Sequence, residues 1–302
     1  MLYIMKNPEE IKEYLIGVTE EKGGHIGANL STVELTLAIN QVFNIKKDWI
    51  LFDTGHQGYT YKILTGRKDK LKTLNEDGGI SRFISRDEST YDRMEASHAG
   101  TAISIGTGVS IDSNEWTVVI VGDGSLVEGM TWEGLNYAVK SKKLIIIIND
   151  NEIAIDKNIG AVNDIMTSKN SNLRASKFFE SLGFHYFFCK EGHDVKKIAD
   201  KLKDAKNFTD KPSIVHVKTK KGNGLKIADS HPYRVHFSMP FDRENIDSTS
   251  PVPRGKSYAS AVTKTIDLVI KNNGIDNNYF LTAATPYASS LDIIKTNYPD
   301  NY

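Results

Sequence analysis

Thr117-Val-Val-Ile-Val-Gly-Asp-Gly-Ser125 and Leu144-Ile-Ile-Ile-Ile-Asn-Asp-Asn151 decide how this chain folds. Each is an apolar run that stops abruptly in a polar cluster. Runs without polar alternation read as strands buried on both faces, the condition of a parallel sheet covered by helices. Between them Met130–Val139 carries a helical pattern, so the local order is strand, helix, strand. Ligands of open parallel sheets bind at the carboxyl ends of the strands. Gly122-Asp123-Gly124-Ser125 and Asn149-Asp150-Asn151 are therefore expected on one rim.

The same reading extends outward. Trp49–Phe52, Trp116–Val121, Leu144–Ile148, Ile214–Val217 and Tyr279–Ala283 are strand candidates separated by helical stretches. The fold class they predict is α/β, a doubly wound parallel sheet with helices on both faces. At the start, Asn7 suits a helix cap, Pro8 the first helical position and Gly23-Gly24 the stop. Ser31-Thr-Val-Glu34 has the form of a capping box opening a second helix. Residues 1–245 read as one domain. The stretch 246–256, with two prolines and a glycine, reads as a linker, and 257–302 as the incomplete start of a second α/β domain that must pack on something else. In that tail Tyr258–Ile270 and Ser289–Thr296 have helical patterns.

Composition narrows the function. With 39% hydrophobic and 25% charged residues the chain can fill a large core, so disorder is excluded as a class. Lys plus Arg and Asp plus Glu both number 38, which argues against nucleic acid or an anionic membrane as partner. The single cysteine, Cys189, rules out an internal disulfide framework and suits a reducing compartment. The start of the chain is charged at Lys6, Glu9, Glu10 and Lys12, unlike a signal peptide, and no apolar run is long enough to span a bilayer. A cytoplasmic location is the expectation.

Asp123 supplies a carboxylate, Asn151 an amide oxygen and Ile153 a backbone carbonyl, a set of hard oxygens that suits Mg²⁺ completed by phosphate oxygens and water. A lone Gly-Asp-Gly is an ordinary tight turn. Paired with Asn-Asp-Asn at 28 positions from Asp123 to Asn151, it resembles the diphosphate–Mg²⁺ motif of thiamine-diphosphate enzymes. The rest of the chain extends that resemblance to the 1-deoxy-D-xylulose-5-phosphate synthase family, within the transketolase-like group. Gly23-Gly-His-Ile-Gly-Ala-Asn-Leu-Ser-Thr-Val-Glu-Leu-Thr36, Phe52-Asp-Thr-Gly-His-Gln-Gly-Tyr-Thr-Tyr-Lys-Ile-Leu-Thr-Gly-Arg67, Gly78–Phe83, Glu88–Asp92, Ser97–Gly100, Gly122–Asn136, Asn149–Val162 and Lys220–Gly224 with His236 and Pro240–Asp242 carry it.

The resemblance implies thiamine diphosphate and Mg²⁺ as cofactors. It implies that Asp123, Asn151 and the Ile153 carbonyl bind the metal, and that Gly124, Ser125 and Asn151 lie by the diphosphate. His56, Ser97, His98, Ala99 and Leu225 would also contact the cofactor, while His25, His56, His98 and His236 line the substrate end as catalytic groups. Imidazoles fit such a site because they move protons near neutral pH. His185, His193 and His216 match no site motif and read as structural; His231 is left open.

Three features depart from the family. Ser97-His-Ala-Gly100 stands where Gly-His-Ser-Ser is usual, Leu225 replaces an aromatic residue, and the region after Val162 is short. The family's cofactor-activating glutamate lies beyond the matching region, and residues 257–302 contain no Glu. The resemblance therefore implies one half of a split synthase, decarboxylating pyruvate and transferring the acetyl unit to glyceraldehyde 3-phosphate. A second polypeptide would complete it, in a homodimer or heterotetramer acting on pyruvate and an aldose phosphate. The alternatives are half of a split transketolase, or a non-catalytic cofactor-binding protein.

Overall fold

A computed structural model describes residues 5–231, 233–245, 257–275, 277–282 and 285–302. The expected linker, 246–256, lies outside the described residues. The elements run α1 (Pro8–Lys22), α2 (Ile26–Ser31), α3 (Val33–Val42), β1 (Trp49–Phe52), α4 (Tyr59–Lys62), α5 (Ala102–Asp112), β2 (Thr117–Gly122), α6 (Gly129–Ala138), β3 (Leu144–Asp150), α7 (Ala161–Thr167), α8 (Ser171–Ser181), β4 (His185–Cys189), α9 (Val195–Lys206), β5 (Ser213–Lys218), α10 (Tyr258–Asn273) and α11 (Asp292–Asn297). Among the described residues no helix is long and apolar enough to cross a membrane.

The five strands are all parallel, in the order β1-β2-β3-β5-β4. Strands β2 and β3 are buried throughout their apolar runs, which is why they lack alternation. Along β4 the side chains do alternate. Tyr186 stacks on Phe179 of α8 with ring centroids 6.0 Å apart, whereas His185 and Phe187 meet Phe208, just past α9, at 4.3 and 5.7 Å. Helices α8 and α9 thus cover opposite faces, and α3 packs on α9. The reversal of direction between β4 and β5 requires this, because a right-handed crossover that runs back along the sheet must pass over its other face. The expected doubly wound sheet is present.

Sequence expectations and structure differ in three places. Ser31 closes α2 instead of capping the next helix, since its hydroxyl donates to Ala28 O at 2.6 Å and accepts from Asn149. Glu34 pairs with Lys12 and His193, so no capping box forms. The strand expected at Tyr279–Ala283 is absent over 279–282, where the Phe280 N–H donates to Asn301 O; Ala283 lies outside the described residues. Strand β4 was not foreseen, because His185-Tyr-Phe-Phe-Cys189 is aromatic, half-buried and at the sheet edge, without the aliphatic run that marks the others.

A second apolar cluster, beside the sheet core, joins α1 and α2 to residues 59–80 and 225–241. Its backbone links set the site. Gly24 and Ser238 exchange hydrogen bonds at 2.8 and 3.0 Å, and the Gly27 N–H donates to Val235 O at 2.9 Å. A Cβ on Gly27 would lie 2.2 Å from Arg234 O and 2.7 Å from Val235 O, both backbone atoms that cannot yield without moving the turn. Gly27→Ala is expected to cost about 1–3 kcal/mol in thermal or urea unfolding. Gly17→Ala, in mid-α1 with open space around its Cβ, should be stabilising by about 0.5–1 kcal/mol.

Candidate functional site

The carboxyl ends of β1, β2 and β3 open into a cavity of about 680 Å³. Gly122, Asp123, Gly124 and Ser125 reach it from β2, and Asn149 and Asn151 from β3. Asp53, Thr54, His56 and Gln57 reach it from β1. Past Asp123 the chain winds into a short 3₁₀ turn, Asp123–Val127, before α6 begins. Polar groups of three strand ends are thereby crowded on one rim.

One carboxylate holds the rim together. Asp53 is buried and accepts from Ser125 Oγ at 2.5 Å, from the Gly100 N–H at 2.9 Å and from the Ala102 N–H at 3.0 Å. These bonds hold the 97–102 segment against β1, with Ser97 and Ala99 on the cavity wall and His98 outward. His98 is exposed and does not line the cavity, contrary to the role the resemblance implied. The backbone twists sharply just before it, with Ser97 at φ 129°. Leu225 also falls elsewhere: it packs in the α1–α2 cluster, where its N–H donates to Gly222 O, and it has no place on the wall.

The other three histidines meet. Ring centroids lie 5.3 Å apart for His25 and His56, 5.5 Å for His25 and His236, and 5.3 Å for His56 and His236. Asn29 secures two of them: its amide nitrogen donates to His25 O at 2.9 Å and His56 O at 2.8 Å, while its oxygen accepts from the Tyr59 N–H. His236 is presented by Arg234 and Val235, both held at positive φ of 50° and 49°. Such conformations are unfavourable for a β-branched residue and persist only where the surroundings enforce them. The Nδ1 atom of each of the three rings is buried without a hydrogen-bond partner among the described residues. Burial, reinforced by Lys221, lowers the pKa of His56 to about 4, and burial also takes His25 and His236 well below the ordinary value. The cluster is neutral at pH 7.

At the opposite end Asp123 accepts from Asn158 Nδ2 at 3.0 Å, and the Asn151 amide oxygen is buried with no partner. Burial raises the Asp123 carboxyl to about 7, with the charge of Asp150 adding to it. Lys221 lines the same wall, donates to Ala154 O, and is lowered by burial to about 7. Ile153 is also on the wall. Sequence reading did not single out Asp53, Asn29, Lys221, Asn158 or Phe83. All five sit inside the quoted motifs, but only the fold shows what they hold.

A sequence model described as 1-deoxy-D-xylulose-5-phosphate synthase matches residues 4–177 and 168–219. The 1-deoxy-D-xylulose-5-phosphate synthase of Syntrophus aciditrophicus is 35% identical over 341 residues, covering 97% of this chain and 52% of the relative. That of Listeria monocytogenes is 36% identical over 309 residues, covering 97% and 50%. The chain spans about half the length of the curated relatives it matches. Among solved structures, a transketolase from Leishmania mexicana gives a TM-score of 0.67 at 19% identity, over 100% of this chain and 48% of that one. A transketolase of Pichia stipitis in complex with sedoheptulose-7-phosphate gives 0.66 at 20%, over 97% and 46%. At these identities the likeness is one of fold.

The neutral histidines make stability depend on pH. Unfolded, each imidazole takes a proton near pH 6.5; folded, His56 does so only near 4. The His56 contribution is therefore complete above pH 6.5 and is lost as pH falls, by up to about 3 kcal/mol at pH 4, while the raised Asp123 carboxyl acts in the opposite sense. Urea unfolding of the unaltered chain and of His56→Gln at pH 7 and pH 4 should isolate this loss, the variant losing less or gaining more stability on acidification than the unaltered chain. An equally steep loss in that variant would mean that the ring is already charged in the fold.

Proposed function

Because the chain belongs to the 1-deoxy-D-xylulose-5-phosphate synthase family, we propose that it binds thiamine diphosphate with Mg²⁺ and forms the diphosphate-binding half of such an enzyme. The observation that carries this reading is the Asn151 amide oxygen, buried and unpartnered in the same cavity as Asp123. A buried carboxylate beside a second one, Asp150, and an orphaned amide oxygen are what a hard cation would satisfy. Among the described residues no three His, Cys, Asp or Glu side chains converge as a metal cluster. The cation would thus be held by Asp123, Asn151 and the Ile153 carbonyl, with the ligand's own oxygens completing its shell. Gly124, Ser125 and Lys221 would meet the diphosphate, and His56, Ser97 and Ala99 the remainder of the cofactor.

When bound, thiamine diphosphate supplies a carbanion equivalent at its thiazolium ring. The chain's own part is to position and to handle protons. His25, His56 and His236 line the cavity as neutral rings, which can hold or accept a proton at a substrate oxygen. Phe83 and Phe237, with ring centroids 5.5 and 5.0 Å from that of His25, confine the ring. The reaction we propose is decarboxylation of pyruvate and transfer of the acetyl unit to glyceraldehyde 3-phosphate, in the cytoplasm. A second polypeptide corresponding to the other half of the relatives would complete the site in a homodimer or heterotetramer. Tyr258, Val262, Leu268 and Val269 of α10, all exposed, support a surface that such a partner covers.

Calorimetry of the 302-residue chain with thiamine diphosphate and Mg²⁺ should detect binding, weakened on the order of a hundredfold or more in Asp123→Ala or Asn151→Ala. No binding by the unaltered chain would favour a non-catalytic protein. Co-expression with a polypeptide spanning the other half should release CO₂ from pyruvate; turnover of a ketose phosphate donor instead would indicate a transketolase. Full activity of the 302 residues alone would sink the two-chain arrangement.

A further inference from the structure

Asp150, between the two asparagines that close β3, is 1% exposed and carries a hydrogen-bond network of its own. Its carboxylate meets His216 Nε2 at 2.7 Å and accepts from Lys218 Nζ at 3.1 Å and from the Glu152 N–H at 3.2 Å. His216, on β5 and fully buried, meets the hydroxyl of Tyr186 on β4 at 2.6 Å through Nδ1. An ionised carboxylate only accepts, so Nε2 bears the proton and Nδ1 accepts from the Tyr186 hydroxyl. One tautomer is thus held by β3, β4 and β5 together. Neither His216 nor Tyr186 lines the cavity.

The network acts on the turn beyond β3. Side chains alternate along a strand, so fixing Asp150 toward His216 directs its neighbours to the other side. Glu152 follows at φ 68°, a left-handed conformation, with its N–H on Asp150 Oδ1 and its carboxylate on Lys218 Nζ at 2.7 Å. Asn151 lies between these two anchored residues, with no bond to its own amide oxygen.

We propose that His216, backed by Tyr186, is a positioning residue: through Asp150 it fixes the turn that holds Asn151 on the cavity wall. This rests on the reading of Asn151 as a cation ligand. Groups that orient metal ligands without touching the metal matter nearly as much as the ligands themselves.

The test is Mn²⁺ binding by the full 302-residue chain in the presence of thiamine diphosphate, read from the paramagnetic resonance of the free ion, with circular dichroism and thermal melting of each variant. His216→Leu removes both hydrogen bonds and should weaken Mn²⁺ by about 10–100-fold, while His216→Gln, which keeps a donor and an acceptor, should stay within about threefold. Should His216→Leu not fold, Tyr186→Phe carries the test, with an expected loss of about threefold or more. A folded His216→Leu, or failing that Tyr186→Phe, that binds Mn²⁺ like the unaltered chain overturns the proposal. So does a Gln variant as weak as the Leu variant, since hydrogen bonding would then not be the agent. If Asn151→Ala binds Mn²⁺ like the unaltered chain, or the unaltered chain binds none, the reading beneath it fails instead and takes the proposal with it.

Discussion

The three hydrogen bonds accepted by the Asp53 carboxylate hold the site together, because they come from two separate points on the rim. Ser125 belongs to the turn after β2, and Gly100 and Ala102 to the segment that enters α5. A carboxylate at the end of β1 is therefore surrounded by three donors. Several such bonds offset the desolvation of one charge, and none of the donors can leave without exposing it. Here the Ala99-Gly100 departure becomes intelligible. The backbone N–H of Gly100 does the holding, so the segment keeps its course without side-chain hydroxyls at positions 99 and 100.

The same economy recurs around the cavity. Asn29 ties the backbones of His25 and His56, and Glu34 reaches Lys12 and His193, whose other nitrogen accepts from the Lys220 N–H at 2.8 Å. Loops that carry functional groups are thus fixed by side chains behind them, and the groups that face the cavity are left with spare valence. His25, His56, His236 and Asn151 all line the cavity, and each carries a buried polar atom with no partner among the described residues.

Much of this was legible in the sequence. Leu144–Ile148 could hardly be anything but a doubly buried strand, and two such strands ending in acid and amide fixed the rim. His25, His56 and His236 were identified by motif, and the fold brings their rings together. What was not legible was contact at long range. His98 sits in a motif beside cavity-lining neighbours, yet the bonds to Asp53 turn it outward. Leu225 is apolar, and an apolar residue near a site can equally belong to the core, as this one does. His193 and His216 match no site motif and read as structural, and what they hold depends on strand order. Strand β4 was missed because an edge strand can be aromatic and half-exposed, so it lacks the pattern that full burial imposes.

The strand order also has a consequence in time. Strand β5 lies between β3 and β4 but follows both in the chain, so the sheet cannot close until residue 218 is available. Until then β3 has an open edge made of Leu144-Ile-Ile-Ile-Ile148, the most apolar segment of the sheet. Parallel pairing across long sequence separations is slow, and an uncovered aliphatic edge is the element most prone to pair with another chain. The insertion that seats His216 beneath the turn after β3 therefore leaves the nascent chain with a window of exposure, during which a chaperone would protect its yield.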